Sequence, residues 1–494
     1  MRERLKQEPS EVVCKYLFEP AIKDESDRSF DNMISLNLVH TLMLHKKDII
    51  TTQDKDNIIN ALLELSKDGS NSIELDPLLE DYYFNFEKHM ISKIGIEFAG
   101  KMHIARSRND INSTISRMNA RDSLIRVFPK LLRLRSILLS IASRNLETVL
   151  TGYTHMQPAQ PISLAHYFLS LAQALERDFD RLQEAYKKLN YSPLGSCAFA
   201  GTSFDIDRNF TAELLGFYGP IDNSLDAIAS RDYLMEIVAD LTILSTNVSR
   251  LAQDLYIWST DEFNYIEVDD SMAVCSSIMP QKKNPITLEH IKAKSAHLIA
   301  AFVSISSILR GISFGHSRDV GSESIKFYWE SMEQIEAILD LMNDTLDTIN
   351  INKENMINKA RVNFSTVTEI ADELVRREGI SFRVSHQIVG TVVRNCLESG
   401  TKSDEITVEM IDKVARENGL NSIKWDQQEL DKITDPYISM INRISYGSPG
   451  PKVIKLSLDK YNNELEKDVL VYENIIKELE SSYKKLNQYL PSSD

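Results

Sequence analysis

The stretch 232–259 places apolar residues three or four positions apart along its whole length. They are Leu234, Ile237, Val238, Leu241, Leu244, Val248, Leu251 and Leu255. On a helix this spacing gives one continuous apolar stripe, which is typical of helix–helix packing rather than of a cofactor site. Comparable patterns predict a helix after Pro285 and another over 323–349. The chain is therefore predicted to contain a bundle of long helices.

The rest of the chain fits an all-α fold with three domains, at residues 1–114, 115–362 and 363–494. The central domain would be the long-helix bundle. One helix is predicted over 127–150, bent or preceded by a turn at Pro129, and another runs from an N-cap at Ser163 to about Leu189. The proline-rich stretch 153–161 between them predicts a loop. We find no strand pattern of any length, no G-x-G-x-x-G and no P-loop. A charged helix over 461–486 is expected to face solvent or another subunit.

Composition limits the class of partner. The 494 residues are 43% hydrophobic and carry a net charge of −16, which argues against nucleic acid or an anionic membrane as the main partner. The four cysteines, Cys14, Cys197, Cys275 and Cys396, are far apart, so we interpret them as free thiols in a reducing cytosol. No secretory signal is evident, and the most apolar run, 298–309, is shorter than the ~20 residues that span a bilayer. These features predict a soluble, cytoplasmic protein.

Polar side chains crowd around the start of the helix that follows Pro285. The segment 275–285 reads CSSIMPQKKNP, with two hydroxyls, two lysines and an amide before the helix. A helix N-terminus favours an anion, because its N–H groups lack partners and its dipole is positive there. This segment is therefore a candidate anion site, with a solvated basic turn as the alternative. The helix itself carries Leu298, Ile299, Phe302, Ile305 and Leu309, which we expect in the bundle core.

Two further segments are candidates for substrate contact. In 101–110, Arg106 and Arg108 flank Ser107 and are followed by Asn109, a set of donors suited to fixing a carboxylate. A surface ion-pair cluster is the equally supported alternative. The acidic and aromatic residues of 80–83 either face the substrate or form an exposed helix start.

Four motifs together resemble the argininosuccinate lyase family of the fumarase/aspartase superfamily. Residues 275–285 are similar to G-S-S-x-M-P-x-K-x-N-P, with Cys275 in place of the glycine. Residues 153–162 (YTHMQPAQPI) and 101–110 (KMHIARSRND) resemble two further family segments, and 223–232 fits N-S-x-D…R-D. The stretch 368–386 resembles a C-terminal segment that fumarases lack. The resemblance covers about residues 75–455.

This resemblance implies a homotetramer with a central helical core, in which each active site combines loops from three subunits. The implied reaction is an anti elimination that breaks a C–N bond next to a succinyl group and releases fumarate. The small-molecule substrate and the other copies of the chain are the implied partners. No metal or organic cofactor is implied.

The resemblance also implies a role for individual residues. Ser276 would be the base, with Lys282 and the helix N-terminus stabilising its alkoxide and with Asn284 holding the substrate carboxylate. His155 would donate a proton to the departing nitrogen, and Glu289 would fix its tautomer. The residues expected to bind the fumaryl carboxylates are Ser107, Arg108, Asn109, Thr154 and Arg231.

The sequence departs from the family pattern on the amine side. The family's tyrosine, glutamine and lysine that grip the arginine half fall on His316, Gly321 and Ser324. The N-terminal L-W-G-G-R-F segment is also missing. Loss of three hydrogen-bonding groups would leave polar atoms of argininosuccinate unpaired, at ~1–3 kcal/mol each.

Three interpretations therefore stay open. Argininosuccinate is the default substrate, and the same elimination from another N-substituted aspartate is the first alternative. A non-catalytic homologue of the lens-crystallin kind is the second alternative, against which all five predicted catalytic residues are present. Cys275, next to the predicted base, is expected to be a buried small hydrophobe rather than an oxidation-sensitive group.

Overall fold

Helices make up most of the computed structural model, which describes residues 4–491. Thirteen of the helices in that range have ten or more residues. They are α1 (Glu19–Lys46), α2 (Thr52–Asp68), α3 (Tyr82–Ile94), α4 (Arg108–Ser143), α5 (Leu164–Leu189), α6 (Asp232–Trp258), α7 (Ile286–Arg310), α8 (Ser324–Thr348), α9 (Lys353–Val362), α10 (Val367–Glu378), α11 (Phe382–Ser399), α12 (Val408–Glu417) and α13 (Pro451–Asn487). The predicted all-α class is confirmed.

Short elements connect the long helices. Short α-helices cover Glu11–Val13, Ile96–Ala99, Arg208–Leu214, Ser224–Ala229, Gln427–Ile433 and Pro436–Ile441, and π-helical turns cover Cys14–Phe18 and Asp319–Glu323. The 3-10 turns are Ser70–Ser72, Pro77–Leu79, Gly100–His103, Asp270–Met272 and Ser403–Glu405. The strands form three antiparallel pairs: β1 (Val149–Thr154) with β2 (Gln157–Ser163), β3 (Ile266–Glu267) with β6 (Asn350–Ile351), and β4 (Val274–Cys275) with β5 (Lys283–Asn284).

Helices α4 to α8 pack side by side and form the bundle. The stripe predicted on α6 is buried from Leu234 to Leu255, and it shares one hydrophobic core with α4, α5, α7 and α8. The last helix, α13, lies along α4 and α5, and its apolar residues Ile454, Leu458, Ile475 and Leu479 belong to that same core. A second hydrophobic cluster holds the N-terminal helices, and a third holds α10 to α12.

Helix α4 is longer than predicted and starts earlier. It begins at Arg108 instead of residue 127 and ends at Ser143, so that Leu150 belongs to β1. A capping box of Ser107 and Asp110 starts the helix, and Pro129 lies exposed inside it. The first half buries Arg117, Asn119 and Arg121. These polar residues are buried beside the apolar Ile111, Ile115 and Met118, and they interrupt the apolar pattern in the sequence.

The stretch 149–163 is a β-hairpin, so the prediction of a loop without strands was wrong. Thr154 pairs with Gln157, and Val149 pairs with Ser163. The two residues between the paired ends, His155 and Met156, have φ values of 52° and 58°. Positive φ at both central residues defines the type I′ turn that closes two-residue hairpins. Ser163 then caps α5, as predicted, through a hydrogen bond from the backbone N–H of His166.

Helix α7 is only partly covered in a single chain. Leu298 and Ile305 are buried, but Ile299 is 50% exposed and Val303 55% exposed, so the prediction of Ile299 as a core residue was wrong for the isolated chain. Among residues 4–491, α7 alone is long and apolar enough to cross a membrane, with 28% of its most apolar window buried; core helices of soluble proteins meet the same criterion. Apolar surface of this extent is typical of an interaction face.

Candidate active site

The ten residues predicted for the site fall into two groups. The first group lies at the start of α4 and comprises Ser107, Arg108, Asn109 and Arg231, the last of which donates to Ser113 Oγ on α4 over 3.0 Å. The second group comprises Thr154, His155, Ser276, Lys282, Asn284 and Glu289, on β1, on the turn after it, and on the segment that leads from β4 into α7.

The two groups lie at opposite ends of the bundle. Arg231 directly precedes α6, whereas Tyr256 lies in its last turn and donates to Glu289 Oε1 over 3.3 Å. About 37 Å of helix lies between these two positions. The hairpin belongs to the Glu289 end, because the hydroxyls of Tyr153 and Tyr265 are 3.3 Å apart and the N–H of Tyr265 bonds to the Trp258 carbonyl. One chain therefore does not bring all ten residues together.

Ser107 is held by the capping box that begins α4. Its Oγ accepts from the N–H of Asn109 over 3.3 Å, and its own N–H donates to Asp110 Oδ1 over 2.8 Å. Asp110 is fully buried and also accepts the backbone N–H groups of Gly195 and Cys197. Burial raises the pKa of Asp110 to about 6. Asp110 is not among the predicted site residues, although the S-x-x-D spacing marks a helix cap.

The arginines near this end have partners within the chain. Arg108 Nη1 lies 2.8 Å from Asp81 Oδ2 and 3.3 Å from Glu80 Oε2, which is the ion-pair cluster of the alternative interpretation. Arg106 is buried and donates to Asn37 Oδ1 over 2.8 Å. The buried guanidinium of Arg231 donates to the Ile228 carbonyl over 3.2 Å as well as to Ser113. In this conformation Arg106 and Arg231 serve the fold.

At the other end, the hairpin turn presents His155 to solvent. His155 and its neighbours Thr154 and Met156 are all exposed. Among residues 4–491, the imidazole of His155 has no hydrogen-bond or ion-pair partner. Glu289 accepts its hydrogen bond from Tyr256, and the predicted contact between His155 and Glu289 is not made within one chain.

The paired strands β4 and β5 hold the segment 276–282 as a loop. Val274 pairs with Asn284, and Cys275 pairs with Lys283. Within the loop, Ser276 Oγ accepts the backbone N–H of Met279 over 3.0 Å and that of Ile278 over 3.3 Å. Two N–H donors on one hydroxyl oxygen favour negative charge there. The neighbouring Lys282 is exposed.

A prediction for this loop was wrong, and one of the two alternatives for the segment 80–83, which lies beside Arg108 at the opposite end of the bundle, is excluded. Cys275 is exposed rather than buried, because β4 and β5 pair only with each other at the surface. The segment 80–83 is not an exposed helix start: Asp81 is buried and caps α3 by accepting the N–H of Phe84, and Tyr82 and Tyr83 are almost fully buried. Their rings belong to the N-terminal hydrophobic cluster.

The segment 315–324, where the chain departs from the family pattern, bends through the π-helical turn Asp319–Glu323 into α8. A Cβ on Gly321 would come within 3.0 Å of Cε1 of His316, so the two replacements fit against each other. Partial burial, together with the nearby charges of Arg231 and Arg318, lowers the pKa of His316 to about 4, and its ring is neutral at pH 7. Ser324 is buried and donates to the Val320 carbonyl over 3.0 Å.

Metal coordination is not suggested by the side chains within 4–491, where no three His, Cys, Asp or Glu residues form a group that could hold an ion.

Comparison with protein families gives two matches. The family described as "Lyase" matches residues 22–299, which is more than half of the chain. The family described as "Argininosuccinate lyase C-terminal" matches residues 364–438. The second match includes the segment 368–386, whose motif resembles the C-terminal segment of this family.

Similar proteins extend over almost the whole chain. Argininosuccinate lyase 1 of Shouchella clausii is 42% identical over 94% of this chain and 93% of its own length. Argininosuccinate lyase of Methanocaldococcus jannaschii is 38% identical over 98% of this chain and 99% of its own length. Among solved structures, EDDS lyase in complex with formate is 31% identical, with a TM-score of 0.87 over 98% of this chain and 96% of that one.

Proposed function

The chain belongs to the argininosuccinate lyase family and is a carbon–nitrogen lyase, and we propose that it eliminates fumarate from argininosuccinate and releases arginine. The observation that carries the proposal is the similarity to two argininosuccinate lyases over almost the whole chain, at 42% and 38% identity, in a chain that keeps all five predicted catalytic residues. These residues are Ser276, His155, Glu289, Lys282 and Asn284. Their presence also argues against a non-catalytic homologue.

In the proposed mechanism, Ser276 removes the proton from the carbon next to the substrate carboxylate. A serine hydroxyl is a weak base unless its alkoxide is stabilised. The N–H groups of Ile278 and Met279 supply two donors to Ser276 Oγ, and Lys282 supplies a positive charge in the same loop. Proton removal places a second negative charge on that carboxylate, which Lys282 and Asn284 would neutralise as it forms.

The departing nitrogen then needs a proton, which His155 would donate. The exposed imidazole has no partner among the described residues 4–491, and Glu289 lies at the same end of the bundle. We propose that His155 meets Glu289 of a neighbouring copy, which would hold the ring in the tautomer that carries a proton towards the substrate. Thr154, which lies on the same hairpin, would bind a fumaryl carboxylate.

Assembly of copies would bring the two groups of residues together. Ser107 and Asn109 would bind the second carboxylate, but they lie at the Arg231 end of the bundle, and about 37 Å of α6 separates Arg231 from Tyr256, which contacts Glu289. The exposed apolar face of α7, with Ile299 and Val303, supports contact between copies. A homotetramer in which antiparallel copies bury α7 would place one end of each chain beside the opposite end of another. A cytoplasmic location agrees with this soluble assembly.

The rebuilt amine side supports a second candidate function, the same elimination from another N-substituted aspartate. The ring of His316 lies close to the position that a side chain at residue 321 would take, where the family has polar side chains. The similarity to EDDS lyase extends over almost the whole chain and shows that this fold is found in lyases with other names. A panel of N-substituted aspartates, assayed beside argininosuccinate, separates the two candidates.

The first experiment is to follow fumarate release from argininosuccinate by ultraviolet absorbance. We expect turnover by the wild type and a loss of about 10²–10⁴-fold in kcat for Ser276→Ala, because the general base is removed. Ser277→Ala is the matched control, since it removes the neighbouring hydroxyl and leaves Ser276 in place. No fumarate from a well-folded wild type would reject argininosuccinate as the substrate.

A further inference from the structure

A cavity of about 410 Å³ lies between α1 and the π-helical turn 319–323. Its wall includes Glu25, Tyr82, Asn112, Arg318 and Gly321. Gly321 is one of the three positions at which the amine-side residues of the family are replaced. The cavity therefore adjoins the part of the chain that has been rebuilt.

The cavity also adjoins the predicted fumarate-binding residues. Glu80 lines the cavity and is 3.3 Å from Arg108 Nη1. Asn112 lines it one helical turn after Arg108 and Asn109 on α4, which is a rise of about 4.5–6 Å. A substrate whose succinyl part contacts Asn109 can thus extend its other half into the cavity.

Two polar groups in the wall, the fully buried Tyr82 hydroxyl and the half-buried Glu25 carboxylate, point to a ligand. Tyr82 is fully buried, and its hydroxyl has no hydrogen-bond partner among residues 4–491. Buried polar groups are nearly always hydrogen-bonded, so an unpaired hydroxyl on a cavity wall calls for a partner. The half-buried carboxylate of Glu25 accepts the backbone N–H of Tyr82, which directs it to the same part of the wall.

The wall carries charges of both signs. Glu25 and Glu323 are acidic, whereas Arg318 and Lys326 are basic. Arg318 Nη2 lies 4.0 Å from Asp81 Oδ2, and its side chain is 54% exposed, which leaves its guanidinium accessible to a second anion. A ligand end with one positive and one negative group matches this wall better than a single charge does.

We propose that the cavity binds the far end of the amine half of the substrate, and that this end is an α-amino acid in its zwitterionic form. Glu25 and the Tyr82 hydroxyl receive its ammonium group, and Arg318 receives its carboxylate. This assignment rests on the proposed function, because in argininosuccinate the bond that breaks lies on the guanidine and the α-amino acid is the end remote from it. Glu25 and Arg318 thus replace the lost family residues as specificity determinants.

The charge on Glu25 gives the assignment a pH signature. The charged groups that face Glu25 are Asp81 before α3, Arg318 on the π-helical turn and Asp24 on α1 itself. Burial and the charge of Asp81 raise the pKa of Glu25 to about 7. The carboxylate that attracts an ammonium group therefore forms as the pH rises through 7, and the KM for argininosuccinate falls over that range.

The test compares inhibitors that occupy different halves of the site. Arginine carries the amino-acid end, whereas succinate carries only the fumarate side. In Glu25→Gln we expect the inhibition constant of arginine and the KM of argininosuccinate to rise about tenfold or more, since a charge-assisted hydrogen bond is lost. The inhibition constant of succinate and the kcat stay within twofold, and the fall in KM near pH 7 disappears. Glu25→Asp restores part of the arginine affinity.

Asp27→Asn is the matched control, because Asp27 is an exposed acid on α1 that does not line the cavity. Unchanged arginine inhibition in Glu25→Gln overturns the proposal, as does an equal loss of arginine and succinate affinity. A wild type that forms no fumarate from argininosuccinate overturns the proposed function and this inference with it. If the wild type turns over argininosuccinate normally and arginine inhibits Glu25→Gln as strongly as the wild type, only this inference is overturned.

Discussion

At the scale of single residues, His155 combines an unusual backbone conformation with a missing partner. Its φ of 52° places it in the left-handed region, which Asn adopts more readily than most residues. The β-hairpin therefore fixes the position of the imidazole through the backbone, and no other side chain of the described chain holds the ring. The imidazole can consequently be removed by substitution without disturbing the β-hairpin that positions it.

We predict that His155→Asn keeps the hairpin and loses the proton donor. The expected result is a fall in kcat of about 10²–10⁴-fold with little change in thermal stability, because Asn suits the type I′ turn. The measurement is fumarate release together with a melting curve followed by circular dichroism. Met156→Asn, at the next position of the same turn, should keep its activity. Normal turnover by His155→Asn would remove this residue from the mechanism.

At the scale of elements, α4 forms two kinds of ion pair. Towards α8 it presents exposed pairs, among them Arg133 with Asp344 and Asp347. Towards α13 it presents Arg135, which is 2% exposed, is paired with Asp468 and lies over the ring of Phe179. Exposed pairs contribute little to stability, whereas loss of one partner from a buried pair leaves a charge without compensation.

We predict that Arg135→Ala lowers the free energy of unfolding by about 3–5 kcal/mol. Arg133→Ala should lower it by less than about 1 kcal/mol, and that effect should shrink as salt is added. Urea denaturation of both variants at two salt concentrations is the measurement. Equal losses of unfolding free energy in the two variants would show that the buried pair between α4 and α13 stabilises the fold no more than the exposed pairs do.

How far the sequence predicts these elements depends on what each of them buries. The stripe of α6 is legible because its buried residues are apolar and regularly spaced. The apolar pattern in the first half of α4 is harder to recognise, because the polar Arg117, Asn119 and Arg121 are buried among its apolar residues. The strands of the hairpin are not recognisable in the sequence, because they contain prolines. The turn uses His155 and Met156 rather than the Asn-Gly pair that signals such turns. Motifs identify candidate site residues one by one, but their division between two ends of the bundle depends on tertiary structure.

At the scale of the whole molecule, a single copy of the chain leaves an apolar face of α7 exposed. Ile299 and Val303 lie one helical turn apart on α7, and both are about half exposed. The proposed reaction needs residues from both ends of the bundle. Burial of this face between copies would cover the apolar surface and would complete the sites at the same time.

We predict that the double change Ile299→Asp and Val303→Asp prevents assembly and removes most of the fumarate-forming activity. Assembly of the double variant would bury two unpaired carboxylates in each contact between copies, which is strongly unfavourable. Sedimentation analysis gives the oligomeric state, and circular dichroism checks that the chain stays helical. Leu397→Asp changes a comparably exposed apolar residue on α11 and should stay assembled. A double variant that is monomeric and fully active would contradict the shared-site arrangement.

The unbroken length of α4 also restricts how related sequences can gain or lose residues. The helix runs from the cap at Ser107 to Ser143, with the hairpin of His155 beginning six residues later at Val149. One residue inserted within it would rotate everything on one side by about 100° and shift it by about 1.5 Å. Ser107 and Asn109 would then lose their register with α6. Insertions and deletions among related sequences should therefore occur in loops, and the length of α4 should stay constant.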